Sequence, residues 1–333
     1  MIVALWFLLS LFQPFKGDAG ESVRVNIPKG AGVDEIGDQL EDAGVVSSSF
    51  FFGLRAGLSG RRDDLKPGLY VEALKRDMSY GDALNALAEG PSNEVFSVAI
   101  VEGRSRREAA EVVRDAGVRG SYLDASKRSS LLDPSDYGAK RARDLEGFLF
   151  PATYDLRRGA SARELVRKQL QAFKREFRAV DLAAAKRRNL TPYDVLIIAS
   201  LVEREAQLDK ERPLIASVIY NRLRRQEPLG IDATVRFATG NWTRPLTESE
   251  LASDSPYNTR ARAGLPPGPI GSPGLESIRA AARPESTDYM FYVVKPGTCG
   301  EHAFSSTAAQ FEEDRRRYNA EREARGGRSP TDC

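Results

Sequence analysis

Eight consecutive residues, Val195 to Val202, read Val-Leu-Ile-Ile-Ala-Ser-Leu-Val, and none is charged. Just before them, Thr191-Pro192-Tyr193-Asp194 is a helix start: Thr as N-cap, Pro at the first position and an acid at the third. A helix that is apolar or small on every side must sit in the middle of a core. The run then continues into Glu203-Arg204-Glu205. Glu203 follows Leu196, Ala199 and Ser200 at helical spacing, so it prolongs the stripe of a buried helix.

A carboxyl placed there has two readings, and the residues leave both open. In one, desolvation raises its pKa and keeps it protonated closer to neutral pH, as a general acid requires. In the other, it is a buried partner of Arg204, Arg212 or Arg222, which is the commoner cause of a buried carboxylate. Glu205 lies about 160° further round the helix, so it does not converge with Glu203. A second carboxylate would have to come from elsewhere, and Glu146 and Asp232 are the candidates. For each, a structural hydrogen-bond acceptor is the equal alternative.

Composition narrows the chemistry. The chain has one histidine, His302, and two cysteines, Cys299 and Cys333. His-pair metal motifs and Cys-x-x-Cys redox pairs are therefore excluded. The 49 basic and 47 acidic residues leave a net charge of +2, which argues against a nucleic-acid footprint. No nucleic acid, metal or cofactor is expected. With 333 residues the chain has room for two or three domains.

The N-terminus, MIVALWFLLSLF, is uncharged but only twelve residues long, and a bilayer span needs about 20. It lacks the positive region of a secretory signal. It reads as the C-terminal part of a membrane anchor, residues 1–15, with the rest of the chain outside the cytoplasm. An oxidising compartment would also allow a Cys299–Cys333 bridge, expected to stabilise by about 3–4 kcal/mol.

The first half repeats itself. Val25-Asn-Ile27-Pro-Lys-Gly30, Glu35 and Asp42-Ala-Gly-Val45 return as Val98-Ala-Ile100-Val-Glu-Gly103, Glu108 and Asp115-Ala-Gly-Val118. Each copy predicts a strand, a turn at Gly and a helix that stops at a second Gly. The helical stripes are Val33, Ile36, Leu40 and Ala109, Val112, Val113. A common supersecondary unit used twice would read the same way.

Further along, Ser79–Leu87, Ser161–Arg188, Leu214–Arg225 and Thr307–Arg325 predict helices, and Met290–Val294 a strand. Residues 226–275 are rich in Pro, Gly, Asn and Thr and predict long loops, which are usually functional. Polar side chains that could orient a substrate are Asn221, Asp232, Thr234, Tyr257, Asn258 and Thr259. Tyr257-Asn258 suits a sugar groove through stacking and amide hydrogen bonds, with loop packing as the equal alternative. A lone histidine such as His302 is more often structural than a base.

Several of these segments together resemble the MltG-like (YceG-like) endolytic murein transglycosylases. They are Ile198-Ala-Ser-Leu-Val-Glu203-Arg-Glu205, Ala216-Ser-Val-Ile-Tyr-Asn221-Arg-Leu223 and Ser255-Pro-Tyr-Asn-Thr259. Gly264-Leu-Pro-Pro-Gly-Pro-Ile270, Ser272-Pro-Gly274, His302-Ala-Phe-Ser305 and Glu146-Gly-Phe-Leu-Phe-Pro151 add to the match. The chain departs from the family pattern at Ala233, Ala152 and Gln310-Phe311.

The resemblance implies an α+β protein: a LysM-like strand/helix module over 21–120, then a mixed α/β catalytic domain with long Pro/Gly-rich loops over 121–325. Residues 326–333 form a loose tail. It implies a single-pass membrane protein facing the cell wall, with peptidoglycan glycan strands as substrate and the wall-synthesis machinery as a partner. Glu203 stands where the family has its catalytic acid. Glu146, Glu205, Asn221, Asp232, Tyr257, Asn258 and His302 are the expected substrate contacts. The expected reaction cleaves the MurNAc–GlcNAc β-1,4 bond and closes a 1,6-anhydro ring. A non-catalytic glycan binder and a hydrolytic muramidase are the competing functions.

Overall fold

The computed structural model describes residues 2–13, 16–17, 19–91, 95–140, 142–157 and 159–330. The chain divides into two compact units, Met1–Phe96 with Leu156–Arg158, and Ser97–Asp155 with Gly159–Cys333.

The first unit runs α1 (Ile2–Phe12), β1 (Val25–Ile27), α2 (Val33–Asp42), α3 (Ser49–Leu58), β2 (Gly68–Tyr70) and α4 (Tyr80–Glu89). β1 and β2 are antiparallel, with Val25 opposite Tyr70 and Ile27 opposite Gly68. Alternation along β1 sends Val25 and Ile27 into the core, where they meet Ile36 and Leu40 of α2, Phe52 of α3, and Leu84 and Leu87 of α4. The buried Tyr70 hydroxyl donates to the Lys66 carbonyl at 2.6 Å, so its polar end is satisfied. Leu11 of α1 is buried and the Phe7 ring lies 5.6 Å from Phe51. α1 is about 16 Å long, against the roughly 30 Å of a bilayer core. No helix among the described residues is long and apolar enough to cross a membrane.

β3 (Val95–Ala99) and β4 (Thr153–Arg157) pair in a second two-stranded sheet. The second unit continues with α5 (Arg106–Asp115), α6 (Tyr122–Ala125), α7 (Ala162–Arg178), α8 (Ala183–Lys186), α9 (Pro192–Glu205), α10 (Arg212–Arg224), α11 (Asp232–Thr239), α12 (Glu248–Leu251) and α13 (Leu275–Ala282). It ends with the hairpin β5 (Phe291–Val294) and β6 (His302–Ser305), then α14 (Ala308–Ala324). α9 is the core helix: every residue from Val195 to Val202 is buried, with α10 and α13 packed on it.

Both copies of the repeat are strand–turn–helix units, β1–α2 and β3–α5, each helix followed by a glycine at positive φ, Gly44 and Gly117. β1–α2 lies in the first unit, whereas β3 begins in the first and α5 lies in the second, so residues 21–120 are divided between the two. The helix expected over Ser161–Arg188 is broken between Arg178 and Ala183, and Asn189 sits at positive φ after the second piece. The loops expected over 226–275 contain α11 and α12. Capping explains α12: the Thr247 hydroxyl and the Glu250 carboxylate close a capping box. The strand β6, not expected, pairs with β5 in the register Val294 to His302. Of the expected Cys299–Cys333 bridge, Cys333 lies outside the described residues, as does the end of the tail from residue 331.

Candidate active site

The site is built on the last turn of α9. Thr191 accepts from the Asp194 N–H at 3.1 Å, and Asp194 accepts from the Thr191 N–H at 2.8 Å, so the helix start is closed reciprocally. From there the apolar run stays in the core until Glu203, whose side chain is 6% exposed. Its two oxygens have separate partners. Oε2 accepts from the Gly274 N–H at 2.8 Å, and Oε1 accepts from Arg212 Nη2 at 3.3 Å. Gly274 is the N-cap of α13, so the carboxylate sits at the positive end of that helix. Among the three arginines the sequence allows, Arg212 is the one paired with Glu203.

Arg212 is itself fixed. Its Nε donates to the Ser277 hydroxyl at 3.0 Å, and Nη1 pairs with Asp209. Arg204, the next residue on α9, turns away from Glu203. It pairs with Glu108, and its guanidinium lies 3.7 Å from the centroid of the Trp242 ring. Glu108 also accepts the Ser105 N–H at 2.9 Å, so the same carboxylate caps α5.

Two turns frame the carboxylate. The Gly103 N–H donates to the Ser272 carbonyl at 2.8 Å, and the Ser272 N–H donates back to the Arg104 carbonyl at 3.0 Å. Backbone approaches so closely here that a Cβ on Gly271 would overlap the Gly103 carbonyl. Gly103 has φ +77, and a Cβ there would lie 3.3 Å from Glu203 Cγ. Both glycines are therefore required, one by space and one also by backbone conformation. A Cβ on Gly274 would overlap the carboxylate of Glu102. Glu102 is thus a carboxylate beside Glu203 that sequence reasoning missed. Burial, then the neighbouring Glu203 charge, push its pKa up, while Arg212 opposes them. The signal was in the repeat: the first copy has Lys29 where the second has Glu102.

The other expected contacts lie as follows. Glu205 points to the opposite side of α9, as its angular offset required. It accepts from the Tyr292 hydroxyl at 2.9 Å, and burial raises its pKa, with the Asp232 charge adding to the rise and His302 opposing it. His302 Nδ1 lies 2.7 Å from Glu211 Oε2, and its N–H donates to Oε1 at 2.8 Å. Glu205 and Glu211 therefore hold the β5–β6 hairpin through one ring each. Asp232 is paired with Arg260 at 2.7 Å and is half exposed.

Glu146 accepts the Arg106 N–H at 3.0 Å at the start of α5, and burial pushes its carboxyl up to about 8. Asn221 donates both amide protons, to the carbonyls of Thr287 and Tyr289, each at 2.9 Å. Asn258 does the same with Leu251 and Ser253, at 2.9 and 2.8 Å. Tyr257 packs on Phe237 with ring centroids 4.9 Å apart. None of these seven makes a hydrogen bond to Glu203 among the described residues; what meets it comes from Gly103, Arg212 and Gly274.

Glu203 is thus an enclosed carboxyl held by a guanidinium and a helix N-terminus, with a second carboxyl, Glu102, beside it. The chain belongs to the YceG-like family, whose model matches residues 25–317. It is 28% identical over 322 residues to the endolytic murein transglycosylase of Bacillus subtilis strain 168, covering 93% of this chain and 88% of that protein. It is 31% identical over 320 residues to the endolytic murein transglycosylase of Streptococcus pneumoniae R6. There the match covers 86% of this chain and 57% of the pneumococcal protein, so the chain spans little more than half of that relative. The fold is similar to the 2.6 Å crystal structure of a YceG-like protein from Listeria monocytogenes, with TM-score 0.57 and 27% identity over 89% of this chain and 99% of that one.

Proposed function

We propose that this protein is an endolytic murein transglycosylase, a lyase that cuts the MurNAc–GlcNAc β-1,4 bond of nascent glycan strands and so ends their elongation. The observation that carries the proposal is Glu203: one carboxyl at the end of a core helix, held from two directions by Arg212 and the Gly274 N–H. The names of the Bacillus and Streptococcus relatives support the same activity.

Glu203 acts first as acid and then as base. Its proton goes to the glycosidic oxygen, which leaves with the bonding pair as positive charge develops at C1. The oxygen of the muramyl 6-hydroxyl then bonds to C1, and its proton returns to Glu203. The product is a 1,6-anhydro end, and no water is consumed. An internal hydroxyl has a high effective molarity, so it competes well with solvent. The tight seat of Glu203, 6% exposed, limits the water that can reach it.

The strand–turn–helix copies support a LysM-like, glycan-holding role for the region around Gly30. The exposed Leu8, Leu9 and Phe12 of α1 support the expected single-pass anchor at residues 1–15, on the side where the wall is built, although α1 by itself is too short to span a bilayer. Coupling to the wall-synthesis machinery, which the family resemblance implies, is part of the same proposal.

Glu203→Gln tests the reading. Gln keeps the shape and cannot act as an acid, so release of anhydro ends from purified glycan strands should fall by at least about 10²-fold. The melting temperature should hold, which separates lost chemistry from lost folding. A folded variant with near wild-type release ends the mechanism. Wild-type products heavier by one water would make the protein a hydrolytic muramidase instead.

A further inference from the structure

The turn of the strand–turn–helix unit carries Lys29 in one copy and Glu102 in the other. Lys29 is exposed in the first unit. Glu102 instead fills the space in which a Gly274 side chain would lie, and Gly274 is also the residue whose N–H holds Glu203. A single glycine therefore touches both carboxyl groups and keeps their nearest oxygens within about 8 Å of each other. That ceiling does not exceed the roughly 9.5 Å up to which paired carboxyls flank a scissile glycosidic bond. The turn bearing Glu102 is pinned by the two hydrogen bonds between residues 103–104 and Ser272. Glu102 keeps part of its surface in water while its inner side lies against Gly274, whereas Glu203 is enclosed, so Glu102 stands on the solvent side of the pair and is only partly desolvated.

Resting on the transglycosylase reading, we propose that Glu102 is a second carboxylate of the reaction, facing the muramyl ring and stabilising the positive charge that grows at C1 and the ring oxygen. Glu102 gains and loses no proton in the cycle. The proton moves from Glu203 to the glycosidic oxygen, and the 6-hydroxyl proton replaces it. Glu102 contributes a fixed negative charge, held in place before the bond breaks, which costs no reorganisation during the step.

The groups facing Glu102 are Glu203 on α9, Arg212 on α10, Asp209 just before α10 and Glu276 on α13. Burial, Glu203, Asp209 and Glu276 all raise its pKa, and Arg212 opposes them. Turnover that needs ionised Glu102 is therefore lost, as pH falls, at a higher pH than it would be for an unperturbed glutamate.

The experiment is kcat and KM for anhydro-end release from purified glycan strands, measured on the full chain across the acid to neutral range. For Glu102→Gln, kcat should fall about 10²-fold with KM within about threefold, and the acidic limb of kcat should lose its Glu102 titration. Glu102→Asp, which keeps the charge but retracts it, should retain that limb with kcat about tenfold below wild type. A folded Glu102→Gln protein with kcat within about threefold of wild type overturns the proposal, and so does a loss confined to KM. If Glu102→Gln does not fold, a Glu102→Asp protein with wild-type kcat overturns it alone. Wild-type protein that releases no anhydro ends removes the transglycosylase reading itself. Release by wild type alongside an indifferent Glu102→Gln removes only the role of Glu102.

Discussion

Gly271→Ala adds one methyl group at the tightest backbone contact of the site. The new Cβ would overlap the carbonyl oxygen of Gly103 and also crowd the Arg104 carbonyl carbon. Both are main-chain atoms, so no rotamer change relieves the clash. The turns 102–104 and 271–274 must move apart, and two backbone hydrogen bonds, of 2.8 and 3.0 Å, stretch or break. Each is worth about 0.5–1.5 kcal/mol, and overpacking costs about 1–3 kcal/mol more. The sum is roughly 2–6 kcal/mol. For a unit of this size, about 1 kcal/mol moves the melting temperature by roughly 2–4 °C. A fall on the order of 10 °C is therefore expected, read from the thermal unfolding of the full chain by circular dichroism. Activity should suffer beyond that, because Gly103 and Gly274 both touch Glu203. A displacement of about 1 Å at such a group costs about 10²-fold in rate. Gly271→Ala protein that melts within about 2 °C of wild type and turns over normally would refute the interlocked-turn account of the site.

Three further outcomes are expected. Arg212→Met leaves the enclosed Glu203 without its cation; it should destabilise by about 3 kcal/mol in urea unfolding and lower anhydro-end release at least about 10²-fold, whereas near-normal release would show that Arg212 is dispensable. The folded Glu146 carboxyl titrates near 8, above its ordinary 4.5, so the folded state binds that proton more tightly. Stability from this group is fully present below about 4.5 and is lost as pH rises to about 8; Glu146→Gln should flatten that slope, and an unchanged pH–stability curve would contradict the burial of Glu146. His302→Ala leaves the buried Glu211 with one partner fewer; it should cost about 2 kcal/mol in stability while kcat changes little, and a large selective loss of kcat would put His302 in the chemistry.

The amino-acid sequence by itself determined α9, its cap and its end. Thr191, Pro192 and Asp194 act within one turn, and the run from Val195 to Val202 has no side that water can wet. It also set both strand–turn–helix units, whose glycines stop the helices locally. Because Glu203 and Glu205 share that helix, the 3.6-residue period alone sent them to opposite sides. Tertiary structure decided the partners. Gly274 meets Glu203 across 71 residues, and Glu102 meets Gly274 across more than that; no local pattern encodes such distances. Arg204, Arg212 and Arg222 are equivalent in sequence, and packing assigned them to Glu108, Glu203 and the Met290 carbonyl. The same holds for Asn221 and Asn258, whose amides satisfy loop carbonyls that only the fold brings within reach. Periodicity and capping are fixed by neighbours along the chain, whereas pairings depend on which buried polar groups the collapsed core leaves to satisfy one another.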